Sequence, residues 1–347
     1  MSNQLRLEIA GNKFEGWLRI RVVRSIERPT GTFSLSITER WESAKDAPPQ
    51  IIAGDECKVF INDDLVLAGH VDDILPSYDA KTHTIKITGR SKAADLVDCG
   101  QRAREWKERS LGQIAMDLAR PYGINVRDDA NVGKSFASQA IEPGQTAYEF
   151  LEKLARQRAV RFISDADGTL VITRAGTKRI STPLQLGINI MSAGGRFSVR
   201  DRFHKYTVIG QRPGTDWNNT DAAADQQASE IDADVREVRE QVILAENAVD
   251  IDDCKRRAKW KRNTAYGKGH GLTYTVRGWR HAGGLWEPNT LVPIIDPWMR
   301  LDNEFLLITG VQYLLDKEGE RTEIQVMPAE AFDLLPLPPK KEAVKWS

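Results

Sequence analysis

EPGQTAYEFLEKLARQRAVRFISDADGTLVITRAG, Glu142 to Gly176, decides how the chain is read. Thr146 followed three positions later by Glu149 is a capping box, which satisfies the free N–H groups at a helix start. Ala147, Phe150, Leu151, Leu154 and Ala155 then recur at helical spacing and form one apolar stripe. The spacing predicts a helix that ends near Arg158. VRFIS and TLVIT follow, two alternating runs around Asp167-Gly168, which is a hairpin turn dipeptide. So definite a structural unit holds almost no group that could carry chemistry.

Upstream, RSLGQIAMDLARPYGI repeats the device, with Ser110 and Gln113 as the box and Leu111, Ile114, Ala115, Leu118 and Ala119 as the stripe. Pro121 and Gly123 close that helix. Residues 96–180 therefore read as an α/β unit of capped helices plus a hairpin. Before it, residues 1–95 read as β. Leu18, Ile20 and Val22 share one face of GWLRIRVVRSIE; Phe33, Leu35 and Ile37 point inward from GTFSLSITER; ECKVFINDDLVLAGHVDDI is a hairpin around Asn62-Asp63-Asp64. Ile85 and Ile87 share a face of KTHTIKITGR. After it, GRFSVRDRFHKYTVIG, GLTYTVRGWR, NTLVPIID, EFLLITGVQYLLD and GERTEIQVMP return to strand character. The expected fold class is α+β, mainly β: two small β-barrel-like domains, 1–95 and 181–335, with the α/β unit between them. Within the second lie a polar loop over 211–233 and a basic helix over 251–266, with Ile251, Cys254, Ala258 and Ala265 on its drier side. The proline-rich tail 336–347 is expected to be flexible.

The 347 residues are 41% hydrophobic and 28% charged, with 49 basic and 49 acidic side chains. Zero net charge argues against broad nonspecific nucleic-acid binding, though not against a local patch. Cys57, Cys99 and Cys254 are too far apart for a disulfide framework or zinc pattern and read as thiols made in a reducing compartment. The charged start is not a signal peptide, and no run approaches the roughly 20 apolar residues of a membrane span.

Candidate chemistry is sparse. NVGKS, Asn131–Ser135, has the end of a phosphate loop, but the glycine such a loop needs five residues before Gly133 is Asp128. His70, His83, His204, His270 and His281 fall in no metal-ligand spacing. No serine sits in a nucleophile elbow, and no neighbouring histidine would activate Cys99. No catalytic, cofactor or metal residues are assigned. The sharpest charge feature is KRRAKWKR, with Lys255, Arg256, Arg257, Lys259 and Trp260. A basic helix with an aromatic could track a phosphate backbone. Asp232, Asp234, Glu237, Glu240, Glu246, Asp250, Asp252 and Asp253 lie just upstream, which favours a solvated face or an intersubunit salt contact. Trp286, Pro288 and Asn289 mark a turn that reads equally as a packed corner or as an aromatic anchor for a partner.

The run LGQIAMDLARPYGINV followed by IEPGQTAYEFLEKLARQRAVRFISDADGTLVITR resembles the middle region of phage Mu-type baseplate hub proteins, the late control D family of contractile tails. VDDILPSYDAKTHTIKITGRSKAADLVDC is similar to the segment that closes the first domain there. LTYTVRGWRHAGGLWEPNTLVPIIDPWMRLDNEFLLITGVQYLLDKEGERTEIQVMPAEAF is similar to the C-terminal β-domain. The resemblance covers most of the chain and lies in the order of several long segments; the 211–233 loop and the tail match least. It implies a structural virion protein rather than an enzyme. A homotrimer would form a ring joining the sixfold tail tube to the threefold central spike, with genomic DNA only in transit. Partners would be the spike, the tail tube or its initiator, and other baseplate proteins. Location would be the virion baseplate, after assembly in the host cytoplasm. The readings set against it are a hub-associated cell-wall hydrolase and the hub of a related injection or secretion particle. Lys255, Arg256, Arg257, Lys259, Trp260, Trp286, Pro288 and Asn289 are the candidate assembly residues.

Overall fold

The computed structural model describes residues 3–38, 51–80, 82–211, 227–248 and 251–334. The expected flexible tail, 336–347, and most of the expected polar loop lie outside these residues. The fold is α+β and mainly β. Thirteen strands belong to one sheet, and most of the large core packs on it.

Its spine is the strand Leu301–Asp316, sixteen residues long. That length lets one strand serve several partners. Its first part pairs with Leu291–Asp296, most of its length with Gly319–Met327, and its second half with Arg19–Ser25, in a register that sets Leu315 opposite Ile20 and Gly310 opposite Ser25. From Arg19–Ser25 the ladder runs on through Thr32–Thr38, His83–Ser91, Asp64–Tyr78, Glu56–Ile61 and Leu5–Ile9 to Asn12–Phe14. On the other side it passes through His270–Arg277 to Ile190–Phe197. The two β-regions expected as separate barrels are thus joined by one backbone ladder, and no closed barrel is found among the described residues. Long strands bend where an extra residue slips in, and register shifts fall at Val71/Asp73 and Ile308/Gly310.

Alternation in the sequence becomes burial in the sheet. Ile20, Val22, Phe33, Leu35 and Ile87 are buried, and Ile37 and Ile85 pack against the same core. Leu18 instead lies exposed, because the strand begins one residue later at Arg19. A close approach explains Gly89: a Cβ there would sit 2.4 Å from the Phe33 ring and 2.3 Å from the His70 carbonyl oxygen. At the far end Trp279 donates its indole N–H to the Leu314 carbonyl at 2.9 Å, and the Tyr313 hydroxyl donates to the Trp286 carbonyl. Polar atoms on buried aromatics usually find such partners.

The α/β unit has its own core. It contains helices α1 (Ala94–Asp98), α2 (Leu111–Ala119) and α3 (Ala147–Arg158). Both expected capping boxes are formed in full, at Ser110/Gln113 and Thr146/Glu149. Arg161–Ser164 and Leu170–Thr173 make the expected hairpin, with Gly168 at φ +87°. Trp106 stacks on Phe150 at 5.4 Å between ring centroids. The NVGKS segment is a loop held by Asp128, whose carboxylate accepts from the backbone N–H groups of Ala130 and Val132, each at 3.0 Å. A carboxylate thus occupies the place where a phosphate loop needs a glycine.

A second, three-stranded sheet of Lys205–Gln211, Gln227–Ile231 and Glu240–Ala248 carries helix α4 (Ile251–Lys268). Part of the expected polar loop is therefore a strand. Gln227–Ile231 pairs antiparallel with Lys205–Ile209, and Ala228 turns inward beneath α4. Ala228 was its only inward apolar side chain, too weak a pattern to read.

Candidate assembly surface

Helix α4 is built on an apolar seam. Cys254 and Ala258 pack with Val208, Ala228 and Ile243, and Ala265 is also buried. Ile251, expected on that side, is exposed at the first turn. Two of the acids that the sequence set against the basic run meet it, Asp252 and Asp253. Asp232 and Asp234 face Arg202 instead, and Glu240 faces Lys205; Glu230, which meets Arg262, is not one of that set. Lys255, 62% exposed, lies 3.6 Å from Asp252; Arg256 bonds Asp253; Arg262 reaches Glu230 at 2.7 Å. Asp253 also takes Arg158 of α3 at 3.2 Å, so it ties α4 to the α/β unit.

The two candidate aromatics are interior residues. Trp260 is 7% exposed, with the Arg161 guanidinium 5.6 Å from its ring; Trp286 is 2% exposed, inside the large core. Neither side chain is offered to a partner as the protomer stands. The turn at Trp286–Asn289 is instead a junction. Asn289, at φ +62°, accepts the Gly176 N–H on its side-chain oxygen at 2.8 Å. A Cβ on Gly176 would lie 1.9 Å from the Asn289 carbonyl oxygen, so only glycine fits. Pro288 and Lys259 are half-buried. Of the candidate set, Lys255 is the one exposed member; α4 and the Trp286 turn sit in different packing neighbourhoods.

Sequence reading missed two arginines. Arg202, 4% exposed, makes a bidentate pair with the buried Asp232, both bonds at 2.9 Å, and its guanidinium lies 5.0 Å from the Tyr266 ring centroid. Arg161 opens the hairpin strand beside α4. Its Nε is buried with no hydrogen-bond partner, and its guanidinium faces the rings of Phe332 at 4.6 Å and Trp260 at 5.6 Å. Burial pulls its pKa down. A single arginine in a strand gives no sequence signal of this kind.

The remaining chemistry is quiet. All three cysteines are free thiols, and burial pushes Cys57 up to about 12, where it is protonated at neutral pH. Among the described residues no three metal-capable side chains converge, and no helix is long and apolar enough to cross a membrane.

The class of protein comes from similarity: the matching family models and relatives are phage baseplate and tail proteins. Residues 4–91 match the Mu phage baseplate assembly protein GpP-like N-terminal domain, 93–174 the second domain of baseplate hub protein gp44-like proteins, and 251–335 the GpP fourth domain. The baseplate hub protein gp44 of Escherichia phage Mu is 31% identical over 96% of this chain and 89% of its own length. The 43 kDa tail protein of prophage MuSo2 from Shewanella oneidensis is 36% identical, with a TM-score of 0.85 over 96% of this chain and all of that one. The chain belongs to the Mu-type baseplate hub family. A tail protein from Neisseria meningitidis MC58 shares the fold at 21% identity and TM-score 0.80, covering 96% of this chain and 98% of that one. The E. coli type VI secretion component c3393 shares it at 11% and 0.60, covering 96% and 80%.

Proposed function

We propose that the chain is the baseplate hub of a contractile phage tail. Three copies form a ring that joins the sixfold tail tube to the threefold spike, and the protein is structural rather than catalytic. The observation that carries this reading is the 31% identity to the Mu hub along nearly the whole chain. The open sheet supports it. Ile190–Phe197 is an edge strand, with Ile188, Met191, Phe197 and Val199 exposed beside or on it. An apolar edge of this kind needs a cover. Assembly takes place in the host cytoplasm, and the genome crosses the ring only in transit.

The finer reading divides the chain at 1–95, 96–180 and 181–335, with a tail at 336–347, and treats the two β-regions as repeats of one plan. Lys255, Arg256 and Arg257 lie on a subunit-facing surface, with acids of the same or a neighbouring chain as their partners; within the chain Asp252 and Asp253 already serve the first two. The mass in solution, measured by light scattering alone and with the cognate spike, tests the ring; a species that stays monomeric in both would overturn it. Replacing those three residues with glutamine should lower trimer assembly more than DNA affinity. The secretion-particle reading rests on fold alone, at 11% identity, and is the weaker one.

A further inference from the structure

A cleft of about 540 Å³ opens between α3, α4, the strand Glu240–Ala248 and the Ile26–Glu27 corner. Five cations line it, Arg156, Arg161, Arg257, Lys261 and Lys268, against two carboxylates, Glu27 and Glu152. Glu152 is engaged by Arg156 at 3.3 Å. Arg161 has aromatic faces around it and a buried Nε without a partner, and no carboxylate pairs with it among the described residues. Lys261 is held below the ordinary lysine value by loss of water and by the nearby charges of Lys268, Arg257 and Arg156. Lys261 and Lys268 keep contact with water and Arg161 is half-buried; cations gathered this closely favour an anion that offsets their mutual repulsion.

The other wall is polypeptide in character. Glu240–Ala248 is the outer strand of its sheet, bonded only to Lys205–Gln211 among the described residues. Gln241, on the wall of the cleft, has a buried side-chain oxygen with no donor. An open strand edge is a template for an added strand.

We propose that this cleft receives an extended acidic segment of another tail protein, laid along the edge of Glu240–Ala248 with its carboxylates on Arg161, Lys261 and Lys268. That the occupant is a tail protein rests on the hub reading; the preference for a carboxylate-bearing strand does not. Polypeptide fits better than nucleic acid for two reasons. Trp260, the aromatic of the basic helix, is walled in and cannot stack a base. The open edge asks for a peptide backbone to pair with, which a sugar–phosphate chain lacks.

Fluorescence anisotropy with the full chain tests this, using labelled peptides of alternating valine and glutamate or valine and lysine, and a single-stranded oligothymidylate. The glutamate peptide should bind at least about tenfold more tightly than the lysine peptide. The double variant Lys261→Gln/Lys268→Gln, with an unchanged melting curve, should weaken it about tenfold, and Arg161→Met should weaken it as well. No preference between the peptides, or wild-type binding by a natively melting double variant, overturns the proposal. Tighter binding of the oligothymidylate, lost in the same variants, overturns it in favour of nucleic acid. Light-scattering masses of the same samples read the trimer separately, so failure of one reading is not mistaken for failure of the other.

Discussion

Two arginines packed against the middle and C-terminal half of α4 meet opposite surroundings. Arg202 is closed in with Asp232, which meets it in the bidentate geometry that suits a guanidinium. Arg161 is closed in with Phe332 and Trp260 and meets no carboxylate among the described residues. Both lose water. Only the first is given a bonded counter-charge; Glu27 and Glu152 act on Arg161 from the same cleft without an ion pair, which leaves it open to a partner. The contrast separates a structural ion pair from a binding group, a distinction that neither burial nor residue type makes alone.

Breaking the complete pair should have the largest effect. Asp232→Ala leaves Arg202 buried without its bidentate partner, with only Asp234 at 3.5 Å to meet it, and should cost about 3 kcal/mol in urea unfolding, as should Arg202→Met from the other side. Arg161→Met, similar in volume and equally apolar in surroundings, should shift stability by less than about 1 kcal/mol, because no partner is orphaned. Equal losses at the two arginines would show that Arg161 has a counter-ion within the chain and would erase the comparison.

Legibility follows the same division. The α/β unit was readable because its signals are local: Ser110 with Gln113, Thr146 with Glu149, and Asp167-Gly168 each act within a few residues, and each is seen in place. Ser110→Ala and Thr146→Ala should each lower stability by about 1 kcal/mol in the same unfolding assay. The joining of the two β-regions was not readable. It depends on Arg19–Ser25 finding Gly310–Leu315 nearly 300 positions away, and alternation gives the inward face of a strand without naming its neighbour. The candidate site was half legible. The basic run is local, and of its acids only the adjacent Asp252 and Asp253 are seen beside it; Arg161 becomes notable only when α3, α4 and Phe332 close around it. Trp286 shows the converse, since a tryptophan at a turn reads alike whether it faces a partner or, as here, the core.

A smaller effect should come from pH. His270 lies on the Arg202 side, its ring 4.2 Å from Tyr266 and its Nδ1 2.7 Å from the Tyr266 carbonyl. Burial, with Arg202 adding to it, holds its pKa below the ordinary 6.5, while Asp232 and Asp234 oppose the shift. The unfolded chain therefore takes the proton first as pH falls. Stability should decline from about pH 6.5 downward through the folded value of His270, and be fully present above it. His281 is depressed by burial as well and adds in the same direction. Urea midpoints for His270→Asn should fall less steeply over that window than those of the parent; an identical slope would assign the pH dependence elsewhere.

The smallest expected effect lies on the exposed face of α4. Lys255 sits 3.6 Å from Asp252, and both side chains are largely in water. A pair so placed contributes little, and salt weakens it further. Its position also works against it: Lys255 lies near the N-terminus of α4, where the helix dipole disfavours a cation, whereas Asp252 in the first turn is favoured there. Lys255→Gln should therefore change the stability of the protomer by less than about 0.5 kcal/mol, and raising the salt should shrink even that. An unfolding free energy that falls by more than about 1 kcal/mol would mean that this lysine supports the fold itself. An unchanged protomer leaves the charge on this face to be explained by what it meets outside the chain.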